Sequence, residues 1–193
     1  MKETIKNLAK AFTGESQARN RYTFYAKTAR DEGYEQVASI FEETANQEKT
    51  HAKMLMKHIQ ELKSNDMSYP AIEITAEVPN LWATTPDNLR AAIAGEHFET
   101  SQMYPGFAAK AKEEGLDKIA ARLTDIAEAE KHHEERYTKL LDLFEKDMVF
   151  KRGEKVWWCC RECGYVHFGT EPPAVCPTCD HPKAFYQLLT EQY

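Results

Sequence analysis

Across the first 147 residues, apolar side chains recur in steps of three and four, the period of a helix buried along one face. Four long segments carry the pattern. The first runs Leu8, Ala11, Ala18, Tyr22, Tyr25 and Ala29, and the second Val37, Phe41, Leu55 and Leu62. The third runs Leu89, Ala92, Met103 and Gly106, and the fourth Ile119, Leu123, Ile126, Tyr137, Leu140 and Phe144. Asp31-Glu32-Gly33-Tyr34 links the first pair tightly and Glu113-Glu114-Gly115-Leu116 the second. Each link holds a glycine suited to a helix C-cap. Between the pairs lies Ser64 to Thr85, with Pro70, Pro79 and a candidate extended run, Ala71-Ile72-Glu73-Ile74. Thr85-Pro86 reads as an N-cap followed by proline at the first helical position. A connection of this length can cross a bundle, so a mainly α, four-helix, ferritin-like bundle with one long crossover is predicted.

Polar residues interrupt the apolar stripes at mid-helix. Glu15, Glu48, Glu96, Glu99 and Glu130 stand on them, as do His51 and His133. Ionised carboxylates are rarely buried unless paired or bound to metal. Five converging without a counter-charge would repel one another and shift their pKa values upward, and two divalent cations remove that difficulty. Glu48-Lys49-Thr50-His51 and Glu130-Lys131-His132-His133 repeat one Glu-x-x-His signature, whose carboxylate and imidazole share a helix face. A lone signature of this kind is usually solvated surface, whereas two in register on apolar stripes point to a two-metal site. Gly33, Glu48 and His51 match Gly115, Glu130 and His133 at a constant offset of 82, while Gly14-Glu15 matches Gly95-Glu96 at 81. A duplicated helical hairpin, each copy giving half a site, is the simplest account. Mixed oxygen and imidazole ligation suits iron or manganese, with zinc also able to enter.

Beyond Met148 the pattern changes, with aromatic residues and prolines crowding a segment of about forty residues, too short for a sufficient core unless a metal staples it. All five cysteines of the chain lie here. Cys160 and Cys163, then twelve residues, then Cys176 and Cys179 give the spacing of a tetrahedral all-sulfur site for zinc or iron. Using Cys159 would enlarge the first pair, so it is expected to be a strand residue outside the ligand set. Two domains follow: residues 1–147 as the bundle and 154–193 as a small, metal-stapled β domain.

Composition narrows the function. A net charge of −6 and a pI near 5.7 argue against a nucleic-acid or anionic-membrane surface. The opening residues Met1-Lys2-Glu3-Thr4-Ile5 lack the apolar core of a secretory signal, and a cytoplasmic location is expected.

Taken together, these motifs resemble those of the rubrerythrins along nearly the whole chain. Gly14-Glu15-Ser16-Gln17-Ala18-Arg19-Asn20-Arg21-Tyr22 is similar to that family's first-helix motif and Gly95-Glu96-His97-Phe98-Glu99 to its third. Cys160-x-x-Cys163-Gly164-Tyr165 and Cys176-Pro177-x-Cys179 resemble its rubredoxin-like tail. The resemblance implies a diiron site bridged by Glu48 and Glu130, with Glu15 and Glu96 terminal and His133 on the second iron. The first iron would be held by His51 when reduced and by Glu99 when oxidised. The four cysteines would hold one iron that passes electrons singly. The implied reaction is a peroxidase reaction, hydrogen peroxide to water, as an oxidative-stress defence. Its electrons would come from NAD(P)H through a separate reductase or a rubredoxin. A homodimer or larger homo-oligomer is implied too. Tyr22 and Tyr104 match family tyrosines that reach ligand carboxylates, although their spacing alone reads as core packing. The alternative is a ferroxidase or iron-handling protein, which the attached electron carrier disfavours.

Overall fold

The computed structural model describes residues 3–64 and 66–191. Helices α1 (Glu3–Asp31) and α2 (Glu35–Leu62) form one hairpin. Helices α3 (Thr85–Phe98) and α4 (Tyr104–Glu113), continuous through a short π-helical segment, pair with α5 (Asp117–Glu145) to form the other. The turns close as expected. Gly33 (φ 85°) and Gly115 (φ 73°) adopt the left-handed backbone that lets each chain reverse directly after a helix.

Three local readings change. The third bundle helix begins one residue early: Thr84 is the extended capping residue (φ −65°, ψ 161°), so Thr85 is already helical and Pro86 lies inside the first turn. Among the described residues Ala71 to Ile74 pairs with no strand; Ile72 and Ile74 instead pack against the aliphatic core. The third helix is also not α throughout. Glu99–Met103 winds as a π turn, which takes in one residue more than an α turn.

The core has two parts. Ile5, Leu8, Leu55, Ile59, Leu123 and Ile126 form an aliphatic cluster in one half of the bundle. Tyr22, Tyr25, Phe41, Tyr137 and Leu140 form an aromatic one in the other. The Phe41 and Tyr137 rings lie 5.1 Å apart, and those of Tyr22 and Tyr137 meet edge-on at 5.5 Å. The buried glutamates belong to neither cluster, although they come from the same helices.

The tail is a three-stranded antiparallel sheet of β1 (Val156–Cys160), β2 (Val166–Gly169) and β3 (Tyr186–Leu188), in the order β2-β1-β3. Its core is small: Trp158 and Tyr186 with Cys160 and Cys176. It packs at the end of the bundle where α1 turns into α2. The Tyr34 ring stacks on Phe150 at 6.0 Å, and a Cβ on Gly33 would stand 3.6 Å from Ala184.

Candidate metal centres

Each Glu-x-x-His pair aims inward because its helix buries that stripe, and the four stripes meet at one level. Two groups of ligand-capable atoms result, each with all members within 4.8 Å of one another. One is Glu15, Glu48, His51 and Glu130; the other is Glu48, Glu96, Glu130 and His133. Glu48 and Glu130 belong to both. His51 Nδ1 lies 2.7 Å from Glu130 Oε1 and 3.1 Å from Glu48 Oε2. His133 Nδ1 lies 2.7 Å from Glu130 Oε2 and 3.2 Å from Glu48 Oε1. The two halves repeat one set of contacts. Glu99 stands outside both groups, on the first residue of the π turn, with Oε1 3.8 Å from where a Cβ on Gly14 would be.

Hydrogen bonding alone does not satisfy these atoms. Glu15 Oε2, Glu48 Oε1, Glu96 Oε2, both Glu130 oxygens and His133 Nδ1 are buried without a hydrogen-bond partner, although several lie close together. Burial, reinforced by the neighbouring carboxylates, raises the pKa of Glu15 and Glu99 well above the usual range and that of Glu96 to about 8. Burial would lift Glu48 as well, but the imidazoles of His133 and His51 hold it near 2. Burial alone would lower His133, yet Glu130, Glu48 and Glu96 push it up to about 12, and His51 is raised in the same way. A site that draws protons onto imidazoles this strongly is short of positive charge. Two divalent cations fit it, and the unpartnered oxygens are the observation that says so.

Two residues beyond that set hold it in place. The Tyr104 hydroxyl donates to Glu15 Oε1 and the Tyr22 hydroxyl to Glu96 Oε1. The packing role read from their spacing is therefore incomplete: each ring fills the core while its hydroxyl fixes a carboxylate. Tyr22 and Tyr104 share the offset of 82 found for the Glu-x-x-His pairs, which marks them as equivalent positions but does not reveal that their hydroxyls are bonded. His58 is buried but bonds Glu61 at 2.9 Å, and His97 is exposed; neither joins a metal group.

In the tail, Cys160, Cys163, Cys176 and Cys179 form the third ligand group. Cys160 and Cys179 sulfurs are 3.8 Å apart and Cys163 and Cys176 3.6 Å. A tetrahedron with bonds of about 2.3 Å has edges of about 3.8 Å, so a four-sulfur metal site fits without rearrangement. Both cysteine pairs sit on matching turns: the Gly164 N–H donates to the Cys160 carbonyl and the Asp180 N–H to that of Cys176. Gly164 (φ 77°) and Asp180 (φ 58°) are both left-handed there. Burial would raise the Cys176 thiol, but the Tyr186 hydroxyl and nearby backbone N–H groups bring it down to about 6. Cys159 lies on β1 opposite Val166 and Gln187 and is not part of the group.

Among the described residues, no helix is long and apolar enough to cross a membrane. The rubrerythrin family model matches residues 6–141, and the model described as rubrerythrin, rubredoxin-like domain matches residues 158–187. A protein named putative rubrerythrin from Methanocaldococcus jannaschii is 53% identical, over 100% of this chain and 96% of its own. Rubrerythrin from Nitratidesulfovibrio vulgaris is 46% identical, over 96% of this chain and 94% of its own. A solved structure of nigerythrin in a partially reduced state aligns with a TM-score of 0.64 and 33% identity, covering 96% of this chain and 86% of that one. With bundle and thiolate tail each matched, and relatives aligned from end to end, the chain belongs to the rubrerythrin family, with a diiron carboxylate site in its helices and a four-cysteine rubredoxin-like site in its tail.

Proposed function

We propose that this protein is a peroxidase that reduces hydrogen peroxide to water, built from a bundle domain (1–147) and a thiolate domain (154–193). One observation carries the reading: two ligand groups share Glu48 and Glu130, and the same chain carries a four-sulfur tetrahedron. Two ferrous ions held by the bundle carboxylates and imidazoles would supply the two electrons that cleaving a peroxide O–O bond requires, and an iron held by the four cysteines would supply single electrons to restore them. Cleavage also consumes two protons for the two waters formed.

The protein's own residues hold this chemistry in place. Glu48 and Glu130 would be shared between the two metal positions, with Glu15 and His51 holding one and Glu96 and His133 the other. Tyr104 and Tyr22 orient the terminal carboxylates, which limits the reorganisation each cycle requires. Glu99 is the alternative ligand to His51. The aliphatic and aromatic clusters keep bulk water from the ligands.

Electrons enter at Cys160, Cys163, Cys176 and Cys179 from a reductase or rubredoxin driven by NAD(P)H. The tail packs against the turn at Gly33, and the helix from there to Glu48 spans roughly 20 Å. Transfer within one chain is therefore long, and a head-to-tail homo-oligomer is the assembly that shortens it. The cysteine clustering motivates a reducing, cytoplasmic setting.

The experiment is anaerobic stopped-flow spectroscopy of the reduced, iron-loaded protein mixed with peroxide. Rapid diferric formation, followed by growth of the red ferric-thiolate bands, is expected. A peroxide reaction no faster than that with oxygen, with the thiolate iron responding independently, would instead favour iron handling.

A further inference from the structure

Hydrogen peroxide is a small, polar molecule, about the size of two waters, or ~60 Å³. The cleft at Glu99 is far larger. It is open to solvent and offers about 540 Å³ between α1, the π turn and residues 75–79 of the crossover. That lies within the ~300–1,000 Å³ usual for sites that take small organic molecules. Its walls are mainly apolar: Phe98, Met103 and Phe107 from the third bundle helix and Pro79 from the crossover. Phe98 is half exposed, although the bundle has buried positions for a ring of its size. Lys10 and Arg21 stand on the α1 side and Glu77 on the crossover side, so polar groups lie on its rim.

Glycines create the space. Gly14, Gly95 and Gly106 all face the cleft, and a Cβ on Gly95 or Gly106 would touch nothing within 4 Å. No packing contact calls for glycine at Gly106, which lies inside α4, where glycine weakens a helix. Glu99 lines the cleft and is electrostatically coupled to Glu96, Glu130 and Glu48, whereas Glu15, Glu48, His51 and Glu130 lie behind it and do not line the cleft themselves.

We propose that this cleft admits hydroperoxides of apolar organic molecules, which the protein reduces to alcohols. The inference rests on the peroxidase reading and extends its substrate class. The apolar body lies against Phe98, Met103 and Phe107 while the hydroperoxyl end reaches past Glu99. The O–O bond breaks. Two electrons from the reduced site and two protons convert the terminal oxygen to water and the carbon-bound oxygen to an alcohol. The same electrons serve as for hydrogen peroxide.

Gly106→Leu tests this, because its side chain enters free space and helix geometry is retained. With cumene hydroperoxide, wild-type protein should turn over and Gly106→Leu should lose about tenfold or more in kcat/KM. The hydrogen peroxide value should stay within about twofold. Cumyl alcohol, unreactive and shaped like the substrate, should bind the ferric wild-type protein by calorimetry and fail to bind the variant. Turnover of hydrogen peroxide without cumene hydroperoxide, or an equal loss with both in the variant, overturns the inference and leaves the peroxidase reading standing. Turnover of neither overturns both.

Discussion

Replacing Tyr104 with phenylalanine removes one oxygen from a fully buried ring and nothing else. That oxygen donates to Glu15 Oε1, whose partner oxygen Oε2 is buried without a hydrogen bond and faces the His51 group. In the variant the carboxylate stays desolvated, but nothing fixes its rotation. Loss of a group that orients a metal ligand typically costs about 10–100-fold in affinity or activity, or roughly 1.4–2.7 kcal/mol. The loss should fall on one side only, because Tyr22 holds Glu96 in the other half. Anaerobic ferrous titration against a competing chelator should therefore show one weakened site and one unchanged. Tyr22→Phe should weaken the opposite site, and the double variant should weaken both additively, within about 0.5 kcal/mol. Circular dichroism should show intact helix content in all three. Two wild-type affinities in Tyr104→Phe would refute the claim that this hydroxyl acts through Glu15.

Glu99→Ala should leave metal loading unchanged, since Glu99 lies outside both ligand groups, but lower steady-state turnover; wild-type peroxidase rates would end the ligand-exchange role. His51→Ala should weaken the first metal position as well as turnover, measured by the same chelator competition. Cys160→Ser should leave single-turnover oxidation by peroxide intact and abolish re-reduction, so unchanged cycling would remove the thiolate iron from the path. Gly115→Ala should cost about 1–2 kcal/mol in denaturant unfolding, because its φ of 73° is left-handed and no clash adds to the penalty. Cys159→Ser should keep the ferric-thiolate spectrum, and its loss would place Cys159 among the ligands.

Much of this could be read from residue order. The bundle was legible because glutamates and histidines on otherwise apolar stripes must meet where the helices pack, and two glycines marked the reversals. The thiolate site was legible because two Cys-x-x-Cys turns leave few other geometries. The hydroxyl contacts of Tyr22 and Tyr104 were not, since a stripe tyrosine looks the same whether its oxygen is bonded or merely tolerated. Thr84 and Thr85 are chemically equal candidates for one cap, and only the backbone distinguishes them. The isoleucines at Ile72 and Ile74 read as a strand by alternation, but among the described residues no strand pairs with them, and they pack against the aliphatic core instead. The π turn left a faint trace: an offset of 81 at Gly14-Glu15 that becomes 82 by Tyr22.

That shift has a structural address. Seven residues lead from Glu15 to Tyr22 and eight from Glu96 to Tyr104, and the extra one falls in the stretch that holds Glu99–Met103. In an α-helix an added residue would turn everything after it by about 100° and carry Tyr104 off the inner face. The wider turn absorbs it, so the tyrosine still reaches its carboxylate and the later register is restored. The consequence is broken symmetry. Two copies of one hairpin, left alone, would make two equivalent metal positions with nothing to favour either. The stretch that holds the inserted residue also carries Glu99, whereas Ser16 to Arg21 on α1 offer no acidic counterpart, so the two metal positions are chemically distinct.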